Sequence, residues 1–339
     1  MAERKLFNRR QKLQEDSREM GFGNIDARQK RLVNADGTYN YKRVGLPFYE
    51  TFNFYHFLVT TPFWKFIVVV VLWYTTFNFV FTGIYYIIGA DNLTGMIYKT
   101  PSEKFWEVYF FSAQTLTTVG YGRVNPMGFW ESAAASFEAL LGLLSFALFT
   151  GLLYARFAKA PSVLMFAKQA VVAPFTYKGQ TMMGLMFRSA NQYNTNLLNM
   201  KAEVSLSLLD FETLDAAGQA MRRFVLLPLE RTTISFFPSS WTVVHPIDEN
   251  SPIYGMTEAE FEKSQPVLMI LVSGFDETFD QNVYVRHSYS LEEIEWGAKY
   301  TKIFGFDAEG NATVDLGNLS TFELTPVDHL LPSREVLEN

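Results

Sequence analysis

The sequence predicts a membrane protein in two parts, with two transmembrane helices around a re-entrant segment, followed by a β-rich domain. Three observations favour this fold. The 25 residues from Phe66 to Ala90 carry no charge, and a helix of that length, about 37 Å, crosses a hydrocarbon core of about 30 Å. A second apolar stretch runs from 129 to 156. After Pro161 the pattern changes to polar–apolar alternation, which is typical of strands.

The first span is predicted at about 64–89. Trp64 stands at its beginning, and Tyr85 and Tyr86 stand near its end. Tryptophan and tyrosine are enriched where a membrane meets water. We therefore expect these three rings at the two interfaces.

The second span is predicted at about 129–158. It contains Glu138, followed by 17 uncharged residues from Ala139 to Ala155. A carboxyl group inside a membrane is costly unless it faces water or a partner. Gly142 and Gly151 offer small surfaces for close packing between helices.

Between the spans, residues 117–122 read Thr-Thr-Val-Gly-Tyr-Gly. Thr-Val-Gly-Tyr-Gly is the known filter sequence of potassium channels, where backbone carbonyls replace the water around K⁺. Glycine allows backbone angles that a side chain would forbid. One chain supplies one wall of such a filter, so the sequence implies a homotetramer. The expected ion-binding residues are Thr118, Val119, Gly120, Tyr121 and Gly122, with the Thr118 hydroxyl as a further ligand.

A shorter amphipathic segment precedes the filter and predicts a pore helix at about 102–116. Ser102 is the expected N-cap, and Glu103 suits the positive end of a helix dipole. The negative end would then face the pore centre, where a cation rests. Irregular backbone at membrane depth is tolerated where it lines a water-filled path.

The amino-terminal region is basic, with 11 Lys/Arg against 6 Asp/Glu in residues 1–46. The positive-inside rule puts such an arm in the cytoplasm, although a solvated tail has the same composition. It lacks the apolar run of a signal peptide. Residues 47–60 predict an interfacial amphipathic helix, with a membrane-proximal loop as the alternative.

The carboxy-terminal region predicts a cytoplasmic β-sandwich over 161–330, with a tail at 331–339. Strands are expected at 203–208, 266–273 and 282–289, and Thr257-Glu258-Ala259-Glu260 has the form of a capping box that begins one short helix.

Composition excludes several functions. Residues 160–339 carry 12 basic against 23 acidic residues, which is the opposite of a nucleic-acid binder. The absence of cysteine excludes disulfides and thiolate metal sites. The four histidines are scattered, and the chain shows no nucleophile–base set or phosphate loop, so we expect neither an enzyme nor a cofactor besides K⁺ ions in the filter.

Further motifs follow the filter in a fixed order. They are Leu153–Ala158 with Pro161, Phe187–Asn191, His245–Gly255, Glu277-Thr278, Val285–Tyr289 and Glu293–Gly297. Together with the filter, this series resembles the inward-rectifier potassium channel family, especially its prokaryotic members, over roughly residues 47–325. The resemblance implies an immunoglobulin-like β-sandwich and passive, K⁺-selective conduction. It also implies an integral protein of the inner or plasma membrane with both termini in the cytoplasm.

The resemblance also assigns roles to the inner helix. Helical spacing puts Phe146, Thr150 and Tyr154 on one face, and the family has its lower constriction at the position of Tyr154. We expect motions of the β domain and of the interfacial helix to open or close the crossing there. Phe146 stands where strong rectifiers carry an acidic residue, so we expect weak or absent polyamine block. Aromatic residues at this spacing are also typical of ordinary core packing.

Around the filter, many family members have Glu at the position of Gln114, paired with a basic residue beyond the filter. Here Arg123 follows the filter, and Glu138 is either its buried partner or a support for the pore helix. Asp280 stands where eukaryotic members have a glycine in a cytoplasmic constriction, so an acidic ring replaces an apolar collar there.

Anionic lipids are the other expected partner, because family members respond to them through basic residues at the membrane face. Each such residue contributes about 1 kcal/mol near an anionic surface, although ordinary positive-inside residues look the same in sequence. The candidates are Lys42, Arg43, Lys65, Arg156, Lys159 and Lys168.

Two other functions fit the sequence less well than a channel. Potassium transporter subunits carry repeated two-span units, whereas this chain has one. A membrane-tethered ligand-binding module with a non-conducting pore would not need the intact filter sequence.

Overall fold

The computed structural model describes residues 31, 33–41, 44–45, 47, 53–158, 164–193, 195–214, 220–237 and 239–325. The chain divides into two compact units, one of residues 44–159 and one that combines residues 1–43 with 160–339. We describe each unit by itself.

The first unit contains, in its described part, four helices and one small sheet. Two of the helices are long and apolar enough to cross a membrane, as the fold class requires. A pair of two-residue strands joins the loops on either side of the third helix. The elements are α1 (Phe54–Thr60), α2 (Phe63–Ile88), β1 (Leu93–Thr94), α3 (Pro101–Leu116), β2 (Asn125–Pro126) and α4 (Phe129–Phe157).

The N-cap of α3 differs from the expected one. Thr100, not Ser102, is the cap, and its hydroxyl accepts a hydrogen bond from the Glu103 amide at 3.2 Å. Pro101 then occupies the first helical position, where proline is favoured because its missing N–H would be unpaired anyway. The proline therefore sets the beginning of the helix one residue after the cap.

Helices α2, α3 and α4 share a buried core that includes Phe81, Val108 and Phe111. At Gly142 the inner helix α4 comes so close to α3 that a Cβ atom would lie 1.9 Å from the Leu116 carbonyl oxygen. Only glycine allows this approach. The last residue of the pore helix is thus seated directly on the inner helix.

The second unit is built from two five-stranded sheets. Their strands are β3 (Leu164–Phe166), β4 (Ala170–Tyr177), β5 (Gln180–Asn191), β6 (Leu197–Leu214), β7 (Ala220–Leu226), β8 (Thr233–Phe236), β9 (Ser240–Pro246), β10 (Val267–Asp276), β11 (Gln281–Ser290) and β12 (Ile294–Trp296).

The strand order differs between the two sheets. In the first sheet, β11, β10, β6 and β7 lie in that order, and β8 also pairs with β6. In the second sheet, the order is β12, β4, β5 and β3, and β9 also pairs with β5. Every pair is antiparallel except β12 with β4.

The inner faces of the two sheets bury one continuous apolar core. Phe187 and Val243 come from one sheet, and Leu206, Leu268 and Ile270 from the other. This shared core confirms the predicted β-sandwich. Apolar and polar residues alternate along the strands, so the apolar face of each sheet lies inside.

Smaller elements complete this unit. The predicted capping box is confirmed, since Thr257 and Glu260 bond reciprocally at the beginning of a short helix. The remaining elements are α5 (Glu258–Lys263) and two antiparallel pairs, β13 (Ala298–Tyr300) with β16 (Phe322–Leu324) and β14 (Phe304–Phe306) with β15 (Ala312–Val314).

Candidate functional site

The expected filter residues adopt an unusual backbone. Thr118, Gly120 and Gly122 have φ angles of +59°, +51° and +79°, whereas Val119 and Tyr121 between them have no positive φ. Alternating the sign of φ in this way turns successive peptide groups to the same side, so that their carbonyl oxygens can line one path, as in potassium-channel filters. A positive φ at a β-branched residue such as Thr118 is strained, and such strain is concentrated at functional sites.

The amides of this segment are tied to the end of the pore helix. The Gln114 carbonyl accepts hydrogen bonds from the amides of Val119, at 2.9 Å, and Gly120, at 3.3 Å. The amide of Thr118 donates to the Thr115 carbonyl at 3.0 Å. Gln114 therefore supports the segment through its backbone. Since the donors are used behind the filter, the acceptors of the same peptide groups face the other way.

Glu138 is fully buried between three helices. The Tyr85 hydroxyl donates to Glu138 Oε2 at 2.6 Å, and the Ser112 hydroxyl donates to Oε1 at 2.5 Å. Tyr85, Ser112 and Glu138 are all 0 % exposed. The carboxyl group of α4 thus bonds to one hydroxyl of α2 and to one hydroxyl of the pore helix.

Tyr85 is buried among the helices, whereas an outward-facing ring was expected at the membrane interface. Its ring is buried against Phe111, and its hydroxyl is used by Glu138. A buried carboxyl group needs hydrogen-bond donors, and this requirement outweighs the preference of tyrosine for the interface. Tyr86 and Trp64 are exposed as expected.

Arg123 has a different acidic partner, Glu107 of the pore helix. Its guanidinium donates to Glu107 Oε2 at 2.7 Å and to the Gly95 carbonyl at 3.3 Å. The ion pair is partly exposed, so its contribution to stability is small. It joins the chain just after the expected filter to the pore helix.

Sequence reasoning missed four residues of this site, namely Asn78, Glu107, Ser112 and Asn125. Asn78 Oδ1 lies 3.2 Å from the Ser112 hydroxyl oxygen, whose single proton goes to Glu138, and the Asn125 side-chain amide donates to the Gly122 carbonyl at 2.7 Å. The sequence could have identified Asn78, because a polar residue in the middle of a span faces protein or water. The others gave none, since spacing along the chain does not encode which helices meet.

Phe146, Thr150 and Tyr154 lie on a free face of α4. Phe146 is 72 % exposed and Tyr154 is 74 % exposed in the single subunit, and Thr150 is also exposed. Glu138 and Gly142 lie in the two turns before Phe146, where α4 contacts α2 and the pore helix. The three residues are therefore turned away from the helices of their own subunit.

Among the lipid candidates, Arg156 already has partners. Its guanidinium donates to the carbonyls of Leu58 and Thr61 at the end of α1, and it lies 5.0 Å from the centre of the Phe66 ring. Arg156 thus joins the end of the inner helix to the turn between α1 and α2.

The other candidates are less engaged. Lys65 is exposed in the first turn of α2, 5.4 Å from the centre of the Trp64 ring. Lys168 is exposed between β3 and β4 of the second unit. Lys42, Arg43 and Lys159 lie outside the described residues.

Asp280 lies exposed in the turn between β10 and β11, with a φ angle of +51°. The turn is organised by the buried Asp276, whose Oδ1 accepts hydrogen bonds from the amides of Thr278 at 2.8 Å and Phe279 at 3.2 Å. The Asp280 carboxylate is therefore presented to solvent.

Comparison with known proteins identifies the family. Residues 164–335 match the model of the inward rectifier potassium channel C-terminal domain, and residues 66–159 match the ion channel model. The chain belongs to the inward rectifier potassium channel family. This channel is accordingly an integral membrane protein and not an enzyme.

Individual relatives agree with this assignment. The channel is 35 % identical over 292 residues to the inward rectifier potassium channel Kirbac3.1 of Paramagnetospirillum magnetotacticum. This match covers 86 % of this chain and 95 % of the relative. It is 25 % identical over 261 residues to the G protein-activated inward rectifier potassium channel 1 of Bos taurus and of Homo sapiens. Those matches cover 71 % of this chain and 48 % of each relative.

A first prediction concerns the buried carboxyl group of Glu138. Replacement of Glu138 by Ala removes the acceptor of the Tyr85 hydroxyl, leaves Ser112 only the longer contact with Asn78, and creates a cavity. We therefore expect a loss of about 3 kcal/mol in the free energy of unfolding. Tyr85→Phe removes one hydrogen bond and should cost less. Thermal and denaturant unfolding of the detergent-solubilised protein measures both.

Ser136→Ala is the matched control on the same helix, because within the described part of the chain this hydroxyl bonds only to the Ser132 carbonyl one turn earlier. It should unfold like the wild-type protein. Equal stability of Glu138→Ala and Ser136→Ala would contradict a supporting role for the carboxyl group.

Proposed function

We propose that four copies of this chain surround one axis and conduct K⁺ passively through the main-chain carbonyls of Thr118 to Tyr121. The observation that carries this proposal is the alternating backbone of residues 118–122 with its amides tied to the pore helix. Carbonyls held in this way replace the hydration shell of K⁺ without rearrangement. One subunit supplies one wall, and the exposed side of the filter needs the other three.

Flux measurements on purified protein in liposomes test this function. We expect K⁺ uptake that barium blocks and much smaller Na⁺ uptake. Gly120→Ala should abolish the K⁺ flux, because its φ of +51° is unfavourable for any residue with a Cβ. Gly83→Ala is the matched control, since a Cβ at that position meets no atom within 4 Å.

Equal uptake of Na⁺ and K⁺, or an assembly other than a tetramer by native mass spectrometry, would contradict the proposal. A folded tetramer without any flux would instead favour the membrane-tethered binding module.

The gate of this channel is proposed at Tyr154, with Arg156 as its link to the interfacial helix α1. A guanidinium at the end of a helix satisfies carbonyls that have no partner within the helix and complements the helix dipole. Because Arg156 holds two such carbonyls, movement of α1 along the membrane surface would pull on α4 two residues from the gate.

Anionic lipid is proposed to act on α1 and the beginning of α2. The Arg156 donors face backbone carbonyls, which leaves Lys65 as the exposed cation of the described membrane unit nearest to α1. A lysine near an anionic surface contributes about 1 kcal/mol. Lipid binding at Lys65 and transmission through Arg156 are thus separate steps.

Two substitutions separate these steps. Lys65→Gln should lower the response of K⁺ flux to anionic lipid about fivefold, the equivalent of about 1 kcal/mol. Arg156→Lys keeps the charge but loses the forked donors, so it should change the flux in all vesicles and leave the ratio between anionic and neutral vesicles unchanged. A reduced ratio for Arg156→Lys, with Lys65→Gln unaffected, would reverse the assignment.

Rectification by polyamines is proposed to be weak at the cavity, because Phe146 offers no charge to a polyamine. We expect little voltage-dependent block of single channels in planar bilayers by spermine on the side of the β domain. Phe146→Asp should create steep block through a ring of carboxylates, and the uncharged Phe146→Asn should not. Steep block of the wild-type channel that survives in Phe146→Asn would disprove this account.

A further inference from the structure

The described residues of 31–41, here called the N-terminal segment, lie along β11, which is an edge strand of its sheet. The Arg31 guanidinium donates to the Ser288 carbonyl at 2.6 Å, and the Ser288 hydroxyl donates to the Val33 carbonyl. Val33 is buried with Phe224 and Met269 on the outer face of the same sheet. The segment therefore covers an edge that would otherwise be open to pairing.

The fit between the segment and β11 is close. At Gly37 a Cβ atom would lie 2.6 Å from the Arg286 carbonyl oxygen. The Arg286 guanidinium lies 5.0 Å from the centre of the Tyr39 ring, and Val33 and Tyr39 form a β-bridge that folds the segment back on itself. Such contacts specify one docked arrangement.

His287 lies at the centre of this contact. Its ring stacks on Phe166, with 4.5 Å between ring centres and 4° between planes, and meets the edge of Tyr289. Its Nδ1 lies 2.5 Å from the Ala35 carbonyl oxygen, so Nδ1 carries the proton and donates. Nε2 is buried and has no hydrogen-bond partner among the described residues.

We propose that His287 is a proton-operated latch, which holds the N-terminal segment on the β domain when the imidazole is neutral and releases it when the imidazole is protonated. This inference does not depend on the proposed conduction mechanism.

Protonation would add a proton to Nε2, which has no hydrogen-bond acceptor among the described residues. An unpaired, charged donor in a buried position costs more than the neutral ring. Release of the segment exposes the ring to water, where the charge is solvated. The docked arrangement therefore favours the neutral form.

Charged groups around the ring do not remove this cost. On the segment, the Arg31 guanidinium repels a second positive charge, and the Asp36 carboxylate is used by Thr38. Beyond the strand, Glu293 attracts the imidazolium but is paired with Arg31 at 3.1 Å.

The remaining neighbours also do not favour the charged ring. Arg286, next in the strand, is a further cation, and Phe166 and Tyr289 carry no charge. Burial lowers the pKa of His287 and outweighs the opposing effects of the Ala35 hydrogen bond and Glu293.

The direction of the pH effect follows from this shift. In the released state the ring has its ordinary pKa of about 6.5, whereas docking lowers the pKa. The released state therefore binds more protons, and docking weakens as the pH falls below about 6.5. Above that value the latch is closed.

Hydrogen exchange of the full-length protein in lipid nanodiscs, read by mass spectrometry, tests the latch. Amide protection in residues 33–41, corrected for intrinsic exchange rates, should fall about tenfold between pH 7.5 and 5.5. His287→Asn keeps an N–H donor for the Ala35 carbonyl and does not titrate, so its protection should stay constant. His56→Gln removes an imidazole from α1 instead and should retain the wild-type pH dependence.

Amides of β10 report whether the β domain itself stays folded. Constant protection of residues 33–41 in the wild-type protein would overturn the latch. The same fall in His287→Asn would overturn it too, and so would an equal fall in β10. Conduction is not part of the readout, so this result is independent of the flux measurements.

Discussion

A filter made of backbone carbonyls has to be held from behind, because its own side chains do not bind the ion. In this channel the amides opposite the proposed ion path bond to the carbonyls of Gln114 and Thr115. The backbone of the proposed filter is therefore an extension of the pore helix. Any movement of that helix would change the proposed ion cage, so the position of α3 is the constraint on which the rest of the membrane unit depends.

Two contacts fix the pore helix, one apolar and one polar. Gly142 lets α4 touch the Leu116 carbonyl, and Glu138 accepts hydroxyl donors from α2 and α3. A buried carboxyl group is a costly way to join helices. Its advantage is direction, because hydrogen bonds specify a register that apolar packing between smooth helices leaves open.

The outline of the fold could be predicted from the sequence, but the hydrogen-bond partners of the site residues could not. Span length and strand alternation are local properties, so the two membrane helices and the β-sandwich could be predicted. The role of Glu138 could not, because Ser112 and Tyr85 lie far from it in sequence and meet it only through the packing of three helices. Tyr85 shows the same limit, since its local pattern indicated an interface while a distant carboxyl group decided its place.

In both proposed couplings of this channel, a side chain donates hydrogen bonds to backbone carbonyls of another segment. Arg156 donates to Leu58 and Thr61, and His287 donates to Ala35. A carbonyl is present whatever the side chain, so the accepting segments carry no sequence signature and only the donors determine the behaviour. Arginine stays charged at every physiological pH and gives a permanent link. Histidine titrates in that range, so a hydrogen bond from its side chain to a carbonyl depends on the protonation state of the imidazole. The difference between a fixed hinge and a releasable latch then lies in one side chain.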